Sequence, residues 1–232
     1  MRYTYEFPRP AVTVDVVIFA MRAGDLAALL VKRAHAPFKG QWALPGGFVN
    51  LNEPLEWAAA RELNEETGIR DLPFEQLGAF GDPERDPRGH TISVVYYTFA
   101  VAESRPVVAG DDAAEAAWHP LRTLPVTQVG RHRPSIKLAF DHARIIDVAR
   151  ARLQERLNQP NRPATFDLVP SRFTLSELQR VYEAVLGREL DKRNFRARLL
   201  RHEWVEPAAA TRRTGPHRPA QLYRWKTPKR VR

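Results

Sequence analysis

The sequence predicts an α/β domain followed by a smaller, basic helix-turn-helix domain. Strand-like and helix-like apolar patterns alternate over the earlier part of the chain, and a break rich in proline and polar residues follows them. At 232 residues, the chain has room for one domain of about 150 residues and a second of about 70. We therefore expect two domains, residues 1–157 and 171–232, joined by a linker over residues 158–170.

Three apolar or β-branched runs predict strands. Val12–Phe19 and Leu26–Val31 flank a turn-like segment at residues 23–25, which indicates a hairpin. A third run, Thr91–Phe99, has the same character. These runs supply the β part of the α/β class.

Two helices are predicted in the same domain. Over Pro54–Thr67, apolar residues recur every four positions, as one face of a helix requires. Pro54 suits the first turn, and Gly68 suits the position just past the end. A longer helical pattern over residues 135–157 closes the domain.

Three carboxylates share one face of the first predicted helix. Glu62, Glu65 and Glu66 lie at positions i, i+3 and i+4, within about one turn. Like charges at this spacing repel by roughly a few tenths of a kcal/mol per pair. A bound Mg²⁺ or Mn²⁺ would turn that repulsion into attraction, because both ions take oxygen ligands. A solvated acidic face is the alternative.

The spacing around these glutamates matches the Nudix box. Five residues separate Gly47 from Glu53, and seven more precede the run Arg61-Glu62-Leu63-Asn64-Glu65-Glu66-Thr67-Gly68-Ile69. About residues 10–157 therefore resemble the Nudix hydrolase family, which includes MutT and the ADP-ribose pyrophosphatases. The resemblance implies an α/β Nudix fold, a mixed sheet sandwiched between helices, and hydrolysis of a nucleoside diphosphate linked to another moiety. It implies Glu62, Glu65 and Glu66 as metal ligands, and a catalytic set completed by Arg61, which orients a glutamate, and the supporting carboxylate Glu53.

Two segments beside the box, residues 38–47 and 81–90, resemble the ADP-ribose-directed branch of that family. Arg85 and Arg88 present forked donors that suit phosphate or ribose oxygens, although a polar turn with solvated charges is the alternative. Trp42 has a ring that can stack on a base, and packing in the core is the alternative. The candidate ligand-binding residues are Trp42, Gly46, Gly47, Arg85 and Arg88.

The excess positive charge lies at the end of the chain. Residues 1–159 hold 19 Lys/Arg and 20 Asp/Glu, a net charge of −1, whereas residues 160–232 hold 17 and 7, a net charge of +10. Such asymmetry indicates attraction to polyanions, because neutralising phosphates releases counterions. A solubilising basic tail is the alternative.

The basic segment has helix-turn-helix spacing. Thr174 and Glu177 form a capping box that begins one helix, and Gly187 ends it. Asp191 caps a second helix through about His202, whose first turns would face base edges in a major groove. Residues 204–206 and 221–225 are expected to pair as a wing. The candidate DNA-binding side chains are Lys192, Arg193, Asn194, Arg196, Arg198 and Arg201 in the helix and Arg212, Arg213 and Arg218 in the wing loop.

An α+β winged helix-turn-helix after a Nudix domain resembles the Nudix-related transcriptional regulators of NAD metabolism, over nearly the whole chain. The resemblance implies a homodimer that binds a palindromic double-stranded DNA operator and senses ADP-ribose or a related NAD-derived nucleotide. Many such regulators have a degraded box, whereas this sequence keeps every carboxylate. We therefore expect retained pyrophosphohydrolase activity with Mg²⁺ or Mn²⁺.

Two alternatives remain open. One is a metabolic ADP-ribose pyrophosphatase whose C-terminal module only dimerises or binds nucleic acid loosely, and the other is an RNA-directed Nudix enzyme. Composition excludes other classes: with no cysteine, the chain has neither a disulfide framework nor a thiolate metal site. No stretch approaches the roughly 20 apolar residues that span a bilayer, and the N-terminus has no signal-like apolar run, so we expect a cytoplasmic protein without membrane contact.

Overall fold

The computed structural model describes residues 6–100, 113–126, 135–157, 168–212 and 220–226. Arg213 and Arg218, two of the predicted DNA-binding residues, lie outside the described residues, and Arg212 is described in its backbone alone. Within the described part of the chain, no helix combines the length and apolar character needed to cross a membrane.

A mixed sheet of seven strands forms the N-terminal part. The central order is β3-β2-β1-β6-β5, with β4 paired to β1 and β7 paired to β2. Only the pairing of β1 with β6 is parallel among the described strands. The strands are β1 (Ala11–Arg22), β2 (Asp25–Arg33), β3 (Trp42–Ala43), β4 (Gly46–Phe48), β5 (Glu75–Phe80), β6 (Thr91–Ala100) and β7 (Ala113–Pro120).

The sheet lies between two helices, α1 (Leu55–Thr67) and α2 (His142–Arg156), as the resemblance implied. Successive residues of β1 belong to opposite faces of the sheet. Val16 and Ile18 pack in one apolar cluster with Leu63 of α1. Val17 and Phe19 pack in another cluster, which holds the buried apolar residues of α2. Because both faces are covered, β1 is buried from Thr13 to Ala20 and is largely apolar over that stretch.

Gly68 ends α1 as the sequence predicts, whereas Pro54 lies one residue before the first helical turn in which it was expected. Pro54 is the N-terminal flanking residue, with an extended backbone at φ −61° and ψ 142°. Gly68 follows the helix in the left-handed region at φ 71°, and its N–H donates to the carbonyl oxygen of Asn64.

The predicted start of the second helix at residue 135 is wrong, because α2 begins at His142. The segment before it pairs with β3: the N–H of Trp42 donates to the carbonyl of Lys137, and the N–H of Ala139 donates to the carbonyl of Trp42. Phe140 has a left-handed backbone at φ 53°. Backbone groups used in this way cannot also form helical hydrogen bonds.

The C-terminal part has the predicted architecture of two helices and a hairpin, namely α3 (Leu175–Leu186), α4 (Lys192–Arg201), β8 (Val205–Arg212) and β9 (Ala220–Trp225). The capping box is present, since Thr174 accepts from the N–H of Glu177 and Glu177 accepts from the N–H of Thr174. Asp191 caps α4 by accepting from the N–H of Asn194 at 2.8 Å.

One apolar core runs through both parts. A single cluster of buried residues contains Val17 and Phe19 of the sheet, Leu178 and Val185 of α3, and Phe195 of α4. It also contains Leu168 and Val169, which the sequence assigned to the linker. Across the same boundary, the side chains of Arg150 and Gln154 on α2 donate to the carbonyl oxygen of Val185 at 3.4 and 2.9 Å.

Phe195 anchors α4, and its truncation should destabilise the C-terminal part. Its ring is buried and lies 5.1 Å from that of Tyr182 on α3. We expect Phe195→Ala to lower the free energy of unfolding by about 3–5 kcal/mol, because it leaves a cavity. The measurement is urea denaturation followed by circular dichroism. Leu200→Ala is the matched control: its side chain is 50% exposed, so its effect should stay within about 0.5 kcal/mol. Equal losses for the two variants would contradict the packing described here.

Candidate functional site

Close approach of β4 to α1 positions two of the predicted glutamates. The N–H of Gly46 donates to Oε2 of Glu66 at 2.9 Å. A Cβ on residue 47 would lie 2.5 Å from Oε1 of Glu62, which is closer than real Cβ atoms come to other atoms. Gly47 therefore leaves the space that the Glu62 carboxylate occupies. Gly46 is required for a different reason, because a Cβ on residue 46 would lie 2.2 Å from the carbonyl oxygen of Val14.

Arg61 joins the remaining carboxylates. Its Nε and Nη2 donate to the two oxygens of Glu53 at 2.7 and 2.9 Å, a bidentate pair. Its Nη1 donates to Glu62 at 2.7 Å and to Glu65 at 3.0 Å. The structure thus brings Glu53, Glu62 and Glu65 around one guanidinium, while Glu66 faces β4.

The pKa values of these carboxylates are shifted in opposite directions, by an ion pair at Glu53 and by burial at Glu62 and Glu66. The bidentate pair with Arg61, helped by the N–H of Asn50, lowers the pKa of Glu53 to about 2. Burial raises the pKa of Glu66 to about 8, since the hydrogen bond from Gly46 offsets only part of the lost hydration. Burial also raises the pKa of Glu62 despite its contact with Arg61. Negative charge is therefore costly at the two glutamates that lie against β4.

The donor chemistry suits a hard divalent cation, but the side chains of Glu62 and Glu65 are turned towards Arg61. Glu62, Glu65 and Glu66 offer only carboxylate oxygens, which are ligands of Mg²⁺ and Mn²⁺. In the residues that the structure describes, no three acidic or histidine side chains are arranged to hold one metal ion. A cation at this position requires Glu62 and Glu65 to turn from the guanidinium.

A cavity of about 290 Å³ opens beside this carboxylate cluster. Gly46, Gly47 and Glu66 form one side, so the cavity adjoins the Nudix box directly. Its other charged or aromatic lining residues are Asp15, Lys32, Arg33, His35, Phe48, Arg85, Asp86, Arg88, Phe140 and His142. Cationic side chains beside aromatic rings suit a ligand that carries both anionic groups and a flat ring.

The structure gives Arg85 and Arg88 different surroundings. Arg85 is buried, and its forked donors bind Asp141 at 2.7 and 3.1 Å. Arg88 forms a similar fork with Asp86, yet its side chain is 41% exposed. The guanidinium carbon of Arg88 lies 4.9 Å from the ring centre of Phe48. Of the two arginines, Arg88 is therefore the one presented to an entering ligand.

Trp42 does not line this cavity. Its ring packs in T-shaped contact with His119 at 4.2 Å, and it lies partly buried against the core. The packing alternative considered for this residue therefore matches its position in the fold.

Sequence reasoning missed a buried polar group on the cavity wall. Asp15 is 7% exposed, and it accepts a short hydrogen bond from Ser93 and lies 3.7 Å from Arg85. His142 accepts from the N–H of Leu44 at Nδ1, so the proton is on Nε2, which lies 3.5 Å from Asp15. Burial lowers the pKa of His142 and keeps the ring neutral. The available signal was Asp15 itself, the only charged residue between Ala11 and Met21.

A second surface, on α4, collects the predicted DNA-binding residues. Lys192, Arg193, Asn194 and Arg201 are exposed. In contrast, Arg196 reaches Ser176 of α3 at 3.4 Å, and Arg198 lies 5.9 Å from the ring centre of Trp204. The outward face of α4 therefore presents fewer of the predicted DNA-binding side chains than the sequence suggested, because Arg196 and Arg198 contact other parts of the chain.

Comparison with known proteins identifies both parts of the chain. Residues 9–140 match the model of the NUDIX domain, and residues 165–225 match that of the NrtR DNA-binding winged helix domain. Over 223 residues the chain is 37% identical to the "ADPR responsive transcriptional repressor NtrR" of Acinetobacter baylyi, covering 95% of this chain and 84% of the relative. The chain belongs to the NrtR family.

Two further likenesses cover about the first half and nearly the whole of this NrtR-family protein, respectively. It is 44% identical over 137 residues to an ADP-ribose pyrophosphatase of Methanocaldococcus jannaschii, covering 59% of this chain and 71% of the relative. It also superposes on a crystal structure of Shewanella oneidensis NrtR complexed with a 27mer DNA, with a TM-score of 0.70 and 34% identity over 93% of each chain. The family and the two-part fold predicted from sequence are confirmed.

Replacing Arg61 should return the pKa of Glu53 towards its ordinary value. We expect Arg61→Gln to raise the pKa of Glu53 from about 2 towards the ordinary value of 4.5, because the bidentate pair is lost. Carboxyl-carbon NMR in the absence of divalent ions should then show Glu53 titrating near pH 4. Arg70→Gln is the control, since Arg70 donates to Asn64 and not to Glu53. An unchanged Glu53 titration in Arg61→Gln would show that Arg61 does not set the charge of this cluster.

Proposed function

We propose that this NrtR-family protein is a transcriptional repressor that binds an operator through its winged helix and responds to ADP-ribose bound by its Nudix domain. The exposed basic face of α4 carries the proposal, because it presents Lys192, Arg193, Asn194 and Arg201 away from the core. The net charge of +10 over residues 160–232 supports it. The likeness over nearly the full chain to a repressor named for its response to ADPR supports the pairing of the two activities.

The cavity supports ADP-ribose as the ligand. Arg33 and Arg88 line it together with Phe48 and Phe140, so guanidinium groups for the diphosphate lie beside aromatic rings for the base. Gly46 and Gly47 line the cavity beside Glu66, so a ligand in the cavity would lie next to the carboxylate cluster.

We also propose that Glu62, Glu65 and Glu66 hold Mg²⁺ or Mn²⁺ and that the Nudix domain keeps pyrophosphohydrolase activity. The bound ion would neutralise phosphate charge and acidify a water molecule. Glu53 keeps Arg61 fixed through its bidentate pair while Glu62 and Glu65 turn towards the ion. Burial makes negative charge costly at Glu66, and a bound cation would offset that cost.

A metabolic ADP-ribose pyrophosphatase is the second candidate function. The complete set of box carboxylates and the 44% identity to an archaeal enzyme of that name favour it. In that case the C-terminal part would only dimerise or bind nucleic acid loosely. A homodimer is expected for either function and is checked by light scattering of the purified protein.

Titration of operator DNA with and without ADP-ribose separates the two functions. For the repressor, we expect a discrete palindromic footprint at about 10 nM protein or less, weakened by ADP-ribose about 5- to 150-fold. Arg193→Ala should reduce affinity roughly tenfold, whereas Arg152→Ala, which removes the same charge from α2, should not. Uniform, salt-sensitive binding to any duplex, unaffected by ADP-ribose, would instead support the enzyme.

Glu65→Gln tests the carboxylate cluster. We expect it to reduce Mg²⁺-dependent ADP-ribose hydrolysis by at least about 100-fold and to leave DNA binding intact. Release of AMP is the measurement. Glu56→Gln is the matched control, because Glu56 is an exposed carboxylate in the first turn of the same helix. Unchanged turnover in Glu65→Gln would remove this residue from the site.

A further inference from the structure

The outermost point of α4 is apolar. Phe195 and Leu199 are buried and define the inner side of the helix. At 100° per residue, Ala197 falls on the opposite side. Ala197 is exposed, and Leu200, one turn further on the same side, is 50% exposed. Both side chains therefore point away from the core of this protein.

Positive charges flank this apolar point without covering it. Arg193 precedes Ala197 by one turn, and Arg201 follows it by one turn; both are exposed. Arg196 and Arg198, which lie between them in sequence, turn sideways to Ser176 and Trp204. The outward face of α4 consequently presents Ala197 midway between Arg193 and Arg201, and Leu200 beside Arg201 in the last turn.

We propose that Ala197 and Leu200 read thymine methyl groups in the major groove of the operator. The inference rests on the proposed function, in which α4 enters that groove. The thymine C5-methyl is the apolar group that base pairs present there, and alanine and other apolar side chains contact it. The small side chain of Ala197 also lets the helix backbone come close to the base edges. Specificity on this face then comes partly from apolar contacts rather than from arginine alone.

The flanking charges argue for DNA over a second copy of this chain. In a two-fold symmetric contact, the same patch faces itself. Arg193 and Arg201 of two copies would then be brought together, which like charges oppose. The phosphates of a DNA duplex can pair with both arginines, while the apolar side chains between them contact the bases.

Replacement of thymine by deoxyuracil tests the proposal, because it removes only the methyl group. The operator is first obtained by selection from a random duplex library with the full-length protein. Each thymine is then replaced in turn, and binding is measured by fluorescence anisotropy at fixed salt. Loss of one buried methyl contact should weaken wild-type binding about fourfold. We expect this loss at one or more positions in each half-site.

Two variants assign the contacts. In Leu200→Ala, at least one methyl-dependent position should bind thymine and deoxyuracil duplexes equally. Ala197→Ser places a hydroxyl at the outermost point of α4. This variant should bind thymine and deoxyuracil duplexes equally at a different methyl-dependent position. Val148→Ala is the matched control, because Val148 is a 39% exposed apolar residue on α2 and should keep the full fourfold effect.

The outcomes separate this inference from the proposed function. A discrete operator with no effect of deoxyuracil at any position overturns the methyl contacts and leaves the repressor in place. Methyl dependence that persists unchanged in both α4 variants also overturns it. Failure of the selection to yield any discrete site overturns the repressor and the inference together.

Discussion

The ionic contacts of Arg61 hold the carboxylate cluster in this NrtR-family protein. One guanidinium contacts Glu53, Glu62 and Glu65, so its positive charge offsets the repulsion among these carboxylates. The same guanidinium donates to the carbonyl of Phe48 and so ties α1 to β4. The position of β4 then fixes the glycine wall of the cavity. Arg61 therefore contributes both to the charge balance of the cluster and to the attachment of α1 to β4, whose position is also held by pairing with β1.

Sequence patterns predicted the elements whose causes are local. The capping box at Thr174 and the glycines after α1 and α3 mark helix ends through contacts within a few residues, and the structure confirms them. The strands β3, β4, β5 and β7 were not predicted, because they are short or rich in alanine, glycine and charged residues. Their pairing with β1, β2 and β6 depends on long-range contacts that periodicity does not report. The late start of α2 also depends on long-range contacts, because the backbone just before it forms hydrogen bonds with β3.

In the candidate site too, residues related by local spacing were predicted and residues brought together only by the fold were not. The box glutamates and Arg61 could be named because their spacing on one helix is a local property. Asp15 and His142 come from β1 and from the start of α2, and only the fold brings them to one wall. The orientation of Arg196 and Arg198 also could not be predicted, because Ser176 and Trp204 lie on other elements. Helical spacing assigns a residue to a face but does not reveal which neighbour attracts its side chain.

The shared apolar core has a thermodynamic consequence. Inter-domain contacts that are small and polar allow two domains to melt independently, whereas here buried residues of the sheet, α2, α3 and α4 form one cluster. Arg150 and Gln154 add hydrogen bonds to Val185 across the same junction. Denaturation of one half exposes apolar surface on the other, so their stabilities are linked. Any nucleotide that binds the folded cavity therefore also raises, by mass action, the melting temperature of the half that carries α4.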